Sequence, residues 1–127
     1  MARGRDGESA QAMLEFALIV PLFALFLLGI VDFGRILAAQ LALNHAARDA
    51  VRAASVGADD EAVGQVVQRD ATLAGDVQWA VAPPPPRHAG DEVEVSVSGS
   101  VSLFDPLFGA ILGPAFRLQA DAVMRVE

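Results

Sequence analysis

The chain of 127 residues has room for one small domain and a membrane anchor, but not for two globular domains. It has no cysteine, which excludes disulfides, thiolate metal sites and a cysteine nucleophile. Its net charge of −7 argues against nucleic acid as a partner, because phosphate binding needs a basic patch.

The first predicted element is an apolar helix. Residues 13–31 carry a single charge, that of Glu15. At a rise of about 1.5 Å per residue, a helix of this length is about enough to span a hydrocarbon core of roughly 30 Å. Pro21 lies inside the run, where a membrane helix tolerates proline as a kink. The run therefore predicts a single transmembrane segment.

The flanking residues indicate the orientation of this segment. Arg3 and Arg5 precede the run and favour a cytoplasmic N-terminus, with the C-terminal part outside. The alternative is a secretory signal that ordinary signal peptidase removes within the alanine-rich residues 36–47. That cleavage would release a soluble domain.

The apolar run continues into an amphipathic helix without a break. We expect one long helix from about Met13 to about Val56, with Gly57 as its stop. Its second half is predicted to stand in water against a partner surface, since alanine allows close helix packing. The predicted apolar stripe comprises Phe33, Leu37, Leu41, Ala47, Val51 and Ala54.

Three motifs along this helix, AQAMLEFALIVP, DFGR and NHAARDAVR, resemble the N-terminal signature of the TadE-like family of tight-adherence (Flp-type) pilus machinery. The matching residues are Gln11, Ala12, Glu15, Phe16, Ala17, Leu18, Pro21, Asp32, Phe33, Gly34, Arg35, Asn44, Ala46, Ala47, Arg48 and Arg52. The resemblance implies a pilin-like, structural membrane component. Its implied partners are the lipid bilayer, a prepilin-type peptidase and other pilin-like or Tad assembly subunits.

The resemblance also implies a processing site. A prepilin-type peptidase would cut between Ala10 and Gln11, where Ala10 replaces the family's usual glycine. Glu15 would become the fifth residue of the mature chain and pair with the terminal amine of a neighbouring subunit. Two such charges near a membrane are individually costly and mutually stabilising. The alternative is that Glu15 only snorkels to the headgroup region.

Asp32 and Arg35 follow the apolar run at i,i+3 spacing, which allows them to pair on one face of the helix. We interpret them as a membrane-boundary pair. The chain is thus expected to divide into a leader (1–10), a transmembrane segment (11–34), a continuing amphipathic helix (35–57) and an extracytoplasmic α+β domain (58–127).

The domain begins with a short second helix that Asp59 or Asp60 caps, followed by a strand at 77–82 and a stiff proline connector at 83–86. Residues 92–103 and 116–126 alternate apolar and polar side chains, which predicts two antiparallel strands with one dry face each. Gly99 is a candidate β-bulge. The fold class is therefore α+β, with a small antiparallel sheet of about three strands.

The segment joining these two strands, 104–115, is unusually apolar for a loop. It is expected either to fold back over the sheet as a short helical turn or to form an exposed patch that touches a partner or the membrane surface.

We find no catalytic motif. His45 and His88 have no partners at ligand spacing, and no serine or glycine motif indicates a nucleophile or a phosphate site. The sequence therefore predicts a non-enzymatic protein without cofactor, metal or small-molecule substrate. The alternative to a pilus component is a membrane-anchored extracytoplasmic binding module unrelated to pili.

Overall fold

The computed structural model of the protein describes residues 3–127, so residues 1 and 2 of the expected leader lie outside the described range. The elements in chain order are α1 (Arg3–Ser55), α2 (Asp60–Asp70), β1 (Gly75–Ala82), β2 (Glu92–Ser102), α3 (Pro106–Leu112) and β3 (Ala115–Arg125). The long N-terminal helix, short second helix and three-stranded antiparallel sheet confirm the predicted α+β fold.

Helix α1 begins ten residues earlier than predicted and ends one residue before the predicted Val56. Gly57 adopts a positive φ of 94°, which glycine reaches without steric penalty. Its N–H donates to the Ala54 carbonyl at 3.2 Å, and the Ala58 N–H donates to the Ala53 carbonyl at 3.1 Å. These two bonds form a Schellman motif, so the predicted stop at Gly57 is confirmed.

One face of α1, which we call the inner face, packs on the sheet and on α2. Its fully buried side chains recur every three or four residues: Ala39, Leu43, Ala46, Ala50 and Ala54. Small side chains let the helix backbone lie close to the valine-lined sheet. The alanine-rich face was expected to stand against a partner; that expectation is wrong, because the chain's own domain covers it.

The predicted apolar stripe is correct only in its second half. Ala47, Val51 and Ala54 are buried, but Phe33, Leu37 and Leu41 are 63%, 50% and 60% exposed. The bulkier residues at the start of the stripe lie to one side of the packed face. The helix rotates its alanines, not its largest apolar groups, toward the sheet.

The sheet has the order β1-β2-β3 and is antiparallel throughout. Val93, Val95 and Val97 of β2 are fully buried, while the alternate residues of β2 face outward, as the alternation predicted. Across the two neighbouring strands, Trp79 and Ala120 lie opposite Val97. The apolar face of all three strands therefore turns toward the helices.

Gly99 marks a β-bulge as predicted, but the extra residue is not in β2, which pairs with β3 continuously through Gly99, opposite Leu118. The irregularity lies in β1, between Gly75 and Gln78. A Cβ at Gly99 would lie 2.7 Å from the Ala74 side chain. The missing side chain at Gly99 therefore makes room for the segment that enters β1.

Helix α2 starts at the predicted cap, where the Asp59 carboxylate accepts a hydrogen bond from the Ala62 N–H at 2.8 Å. Its buried residues include Gly64, where a Cβ would lie 2.5 Å from Cζ2 of Trp79. The indole of Trp79 therefore packs directly on the helix backbone, which explains a glycine inside α2.

Segment 104–115 does contain a helix, α3, capped by the Asp105 carboxylate, which accepts from the Leu107 N–H at 2.8 Å. Its apolar side chains are not buried over the sheet. Those exposed in this segment are Phe104, Leu107, Phe108, Ile111 and Leu112. Helix α3 instead touches α1 at Gly29, where a Cβ would lie 3.0 Å from Cε2 of Phe108.

Candidate membrane and assembly site

The N-terminal half of α1 has almost no tertiary packing. Within residues 3–127, α1 is the one helix long and apolar enough to cross a membrane, and only 6% of its most apolar 18-residue window is buried. A core helix of a water-soluble protein would bury such a window. The helix therefore leaves its bilayer-length apolar surface free for lipid or for other helices.

The residues predicted for processing and assembly lie together in the early turns of α1. Ala10, Gln11 and Glu15 are all exposed on the continuous helix. Nε2 of Gln11 donates a hydrogen bond to Oε1 of Glu15 at 3.2 Å, one helical turn apart. The Glu15 carboxylate thus has one local polar partner, while its other oxygen is open to a further donor.

Asp32, at the end of the apolar run of α1, has a fully buried side chain. Its carboxylate accepts hydrogen bonds from the backbone N–H of Phe104 at 2.9 and 3.1 Å and of Asp105 at 2.7 Å. Such bonds to an ionised acceptor are among the strong ones in proteins. Asp32 therefore ties the start of the α3 segment to α1.

Arg35 completes the connection. One guanidinium nitrogen, Nη1, lies 3.3 Å from Oδ1 of Asp32 and donates to the Ser102 carbonyl at 2.6 Å. The guanidinium carbon stands 4.0 Å from the centroid of the Phe104 ring, a cation–π distance. Asp32 and Arg35 together fix the end of β2 and the start of the α3 segment against the helix.

The contacts of Asp32 and Arg35 with residues 102–105 were not predicted from the sequence, which indicated only a position at the membrane boundary. Two signals were available. A carboxylate at the end of an apolar run needs several donors to be buried, and the motif FDP at 104–106 offers backbone N–H groups at a turn. Sequence alone does not show that the two segments meet. The membrane-boundary role stays a prediction.

A second apolar surface runs along α1 beside the inner face, and we call it the outer stripe. Its seven side chains are each exposed by half or more: Ile19, Phe23, Phe26, Ile30, Phe33, Leu37 and Leu41. Their spacing of three or four residues places them on one side of the helix. The stripe passes the level of Asp32 and continues for two further turns.

The hydrophilic face of the sheet has a concave surface. Gln78, Ser96, Ser98 and Gln119 line a shallow groove of about 210 Å³ there. Nε2 of Gln119 donates to both carboxylate oxygens of the neighbouring Asp121, which lowers the pKa of Asp121. Gln119 and Asp121 therefore satisfy each other on an open surface.

The predicted family residues after the apolar run divide between the two sides of α1. Ala46 and Ala47 are buried, while Arg48 and Arg52 are exposed. Asn44 accepts a hydrogen bond from the Gln40 side chain at 3.4 Å. Among residues 3–127, no group of three or more His, Asp or Glu side chains is arranged to hold a metal ion.

Residues 10–52 match the family model described as TadE-like protein. No curated protein and no solved structure was found to match the chain. The match extends from Ala10 to Arg52 and so includes Glu15, Asp32 and Arg35. The resemblance stated from the sequence is thereby confirmed for the helix that carries the motifs.

Proposed function

We propose that this TadE-like chain is a single-pass, pilin-like component of a bacterial tight-adherence pilus or a related secretion assembly, with a structural rather than catalytic role. The matched residues 10–52 support the pilus context. The observation that carries the proposal is the outer stripe, because its exposed apolar side chains need a partner that the chain itself does not supply.

The topology we propose has residues 1–10 in the cytoplasm, residues 11–34 in the cytoplasmic membrane and the rest outside. The unpacked apolar half of α1 supports the span, and the basic residues Arg3 and Arg5 support the orientation. Residues 35–57 then hold the domain 58–127 directly against the outer surface of the cytoplasmic membrane. The single helix α1 serves both regions, so the domain follows any movement of the anchor.

The end of the outer stripe lies too far from the bilayer to be covered by lipid. At about 1.5 Å per residue, Leu37 lies about 9 Å and Leu41 about 15 Å beyond Val31 along the helix axis. The headgroup region beyond the hydrocarbon is only about 5 to 8 Å thick. Leu41 therefore stands in water at 60% exposure, unless another subunit packs on it. We take pilin-like or Tad assembly subunits as that partner.

Glu15 provides the second element of the mechanism. A prepilin-type peptidase would cut after Ala10, which would free the amine of Gln11 one helical turn from the Glu15 carboxylate. Gln11 already donates to Glu15 through its side chain, so the two residues lie close enough to share a polar site. A charged amine on a neighbouring subunit would form an ion pair with the exposed carboxylate of Glu15. This pair would fix the register in which the subunits assemble.

The test replaces Glu15 and measures maturation and association. We expect Glu15→Leu to insert into the membrane at least as well as the parent, because a costly charge is removed, but to lose cleavage after Ala10 or co-purification with pilus subunits. Intact mass of the membrane-extracted chain reports the loss of ten residues. Glu8→Gln is the matched control, since it removes an exposed carboxylate from the leader of the same helix.

Three outcomes separate the competing functions. A mature chain shortened by ten residues that associates with pilus subunits supports the pilin-like mechanism. An uncleaved chain that associates with none of them supports the anchored binding module, for which the groove at Ser96 and Ser98 is the available surface. Loss of about forty residues supports a secreted domain. If Glu15→Leu matures and associates like the parent, Glu15 has only a boundary role.

A further inference from the structure

We propose that α3 is a second membrane contact: it lies in the outer lipid interface beside α1, and a phospholipid acyl chain fills the groove between the two helices. The inference rests on the proposed membrane span of α1. It adds a lipid site in the extracytoplasmic domain. This site lies about seventy residues after the span in sequence, but hydrogen bonds from Phe104 and Asp105 to Asp32 bring it to the end of the span.

The composition of α3 suits lipid and not water. From Pro106 to Phe116 no side chain is charged. Leu107, Ile111 and Leu112 are 53%, 69% and 48% exposed, although each is strongly apolar. An exposed apolar patch of this kind on an otherwise acidic domain marks a contact surface. Interfacial segments bind membranes through such side chains.

The position of α3 is fixed at the depth of the bilayer edge. Asp32 accepts from the two backbone N–H groups that precede α3, so the helix cannot lie away from the end of the apolar run. Phe108 then packs on Gly29, which is three residues, or about 4.5 Å, further into the run. Gly29 is buried by this contact, and it lies within the uncharged residues 16–31.

Together α1 and α3 form an apolar groove of about 780 Å³. Leu22, Phe26 and Gly29 supply one wall, and Leu107 and Phe108 supply the other. Among the described residues that line the groove, only Asp105 is charged; it is buried, and its carboxylate already accepts from the Leu107 N–H. The groove therefore offers dispersion contacts and no free polar group for a ligand headgroup.

Lipid is the occupant that the surroundings supply. The wall at Leu22 and Phe26 lies inside the bilayer-length run, where acyl chains surround the helix at every free face. The groove is continuous with this lipid-facing surface of α1. In contrast, the part of the outer stripe assigned to a partner subunit, Leu37 and Leu41, lies beyond Asp32 and outside the groove.

The experiment uses the full chain in nanodiscs that hold one copy each. Because the chain has no cysteine, Ile111→Cys can carry the only thiol-linked fluorophore. Leu27→Cys, at 46% exposure and outside the groove lining, is the control within the bilayer, and Leu73→Cys, at 61% exposure, is the control in water. The probe lipid is phosphatidylcholine with a nitroxide near the headgroup end of its acyl chain, which quenches only fluorophores within contact range.

We expect the Ile111 label to lose as much fluorescence as the Leu27 label and its emission to shift to the blue, while the Leu73 label stays unquenched. An Ile111 label that behaves like the Leu73 label overturns the lipid contact but leaves the span intact. A blue-shifted Ile111 label that nitroxide lipid does not quench means that protein covers α3, which also overturns it. If the Leu27 label escapes quenching, the span and the proposed function fail together.

Discussion

The inner face and the outer stripe of α1 differ in the size of their side chains and in what covers them. The inner face is mostly alanine and is fully buried by the chain's own sheet and α2. The outer stripe is phenylalanine, leucine and isoleucine, and it is exposed from Ile19 to Leu41. In this helix, small residues mark the contact made in folding, and large apolar residues mark the surface that we propose is covered by lipid and other subunits.

The largest expected effect is a difference in the free energy of unfolding between a variant on the inner face and a variant on the outer stripe. Ala50→Asp should destabilise the domain by about 3 to 5 kcal/mol, because it places an unpaired charge in a fully buried site. Leu41→Asp is the matched control on the same helix, and it should change stability by less than about 0.5 kcal/mol because the site is 60% exposed. Urea unfolding of the chain in nanodiscs, followed by Trp79 fluorescence, measures both values.

Equal destabilisation by the two changes would mean that the outer stripe also packs within the chain. If neither change alters the free energy of unfolding, the inner face does not pack on the sheet. Either result contradicts the division of α1 into a folding face and a free stripe.

A smaller effect is expected at Asp32, where the inner side of the helix meets the α3 segment. Asp32→Ala leaves the N–H groups of Phe104 and Asp105 without their acceptor, which should destabilise the domain by roughly 2 to 4 kcal/mol. Asp32→Asn keeps one acceptor oxygen and should lose less. Hydrogen exchange of the amides at 104 and 105 gives the local reading, and unchanged protection in Asp32→Ala would show that the carboxylate does not hold this segment.

The elements of the fold were largely predictable because each has a local signal. Alternation over 92–103 and 116–126 predicted two strands, Gly57 predicted the end of α1, and the apolar run predicted its exposed first half. Helix and strand periodicities follow from backbone geometry within one element. Such signals do not depend on what the element later packs against.

The errors concern contacts between elements. The rotation of α1 on the sheet was wrong from Phe33 to Leu41, since hydrophobicity favours large side chains while close packing here selected alanine. Gly64 is a further case: glycine weakens a helix, and no local pattern shows that this one admits the Trp79 indole. At the candidate site, the i,i+3 proximity of Asp32 and Arg35 was predictable from spacing. Their bonds to Phe104, Asp105 and Ser102 join segments about seventy residues apart, which no local pattern encodes.

The smallest perturbation gives the most direct test, because it labels the outer stripe without disturbing the fold. Since the chain has no cysteine, a photoreactive cross-linker can be attached at Leu41→Cys and, as the matched control, at Leu73→Cys. The two native side chains are 60% and 61% exposed. Irradiation in native membranes and mass spectrometry then identify what each position touches.

We predict that the cross-linker at Leu41→Cys captures a pilin-like or Tad assembly subunit, or a second copy of the chain, in high yield, and that the cross-linker at Leu73→Cys does not. Equal yields at the two positions, or no protein captured at Leu41→Cys, would contradict the claim that the outer stripe is an assembly surface.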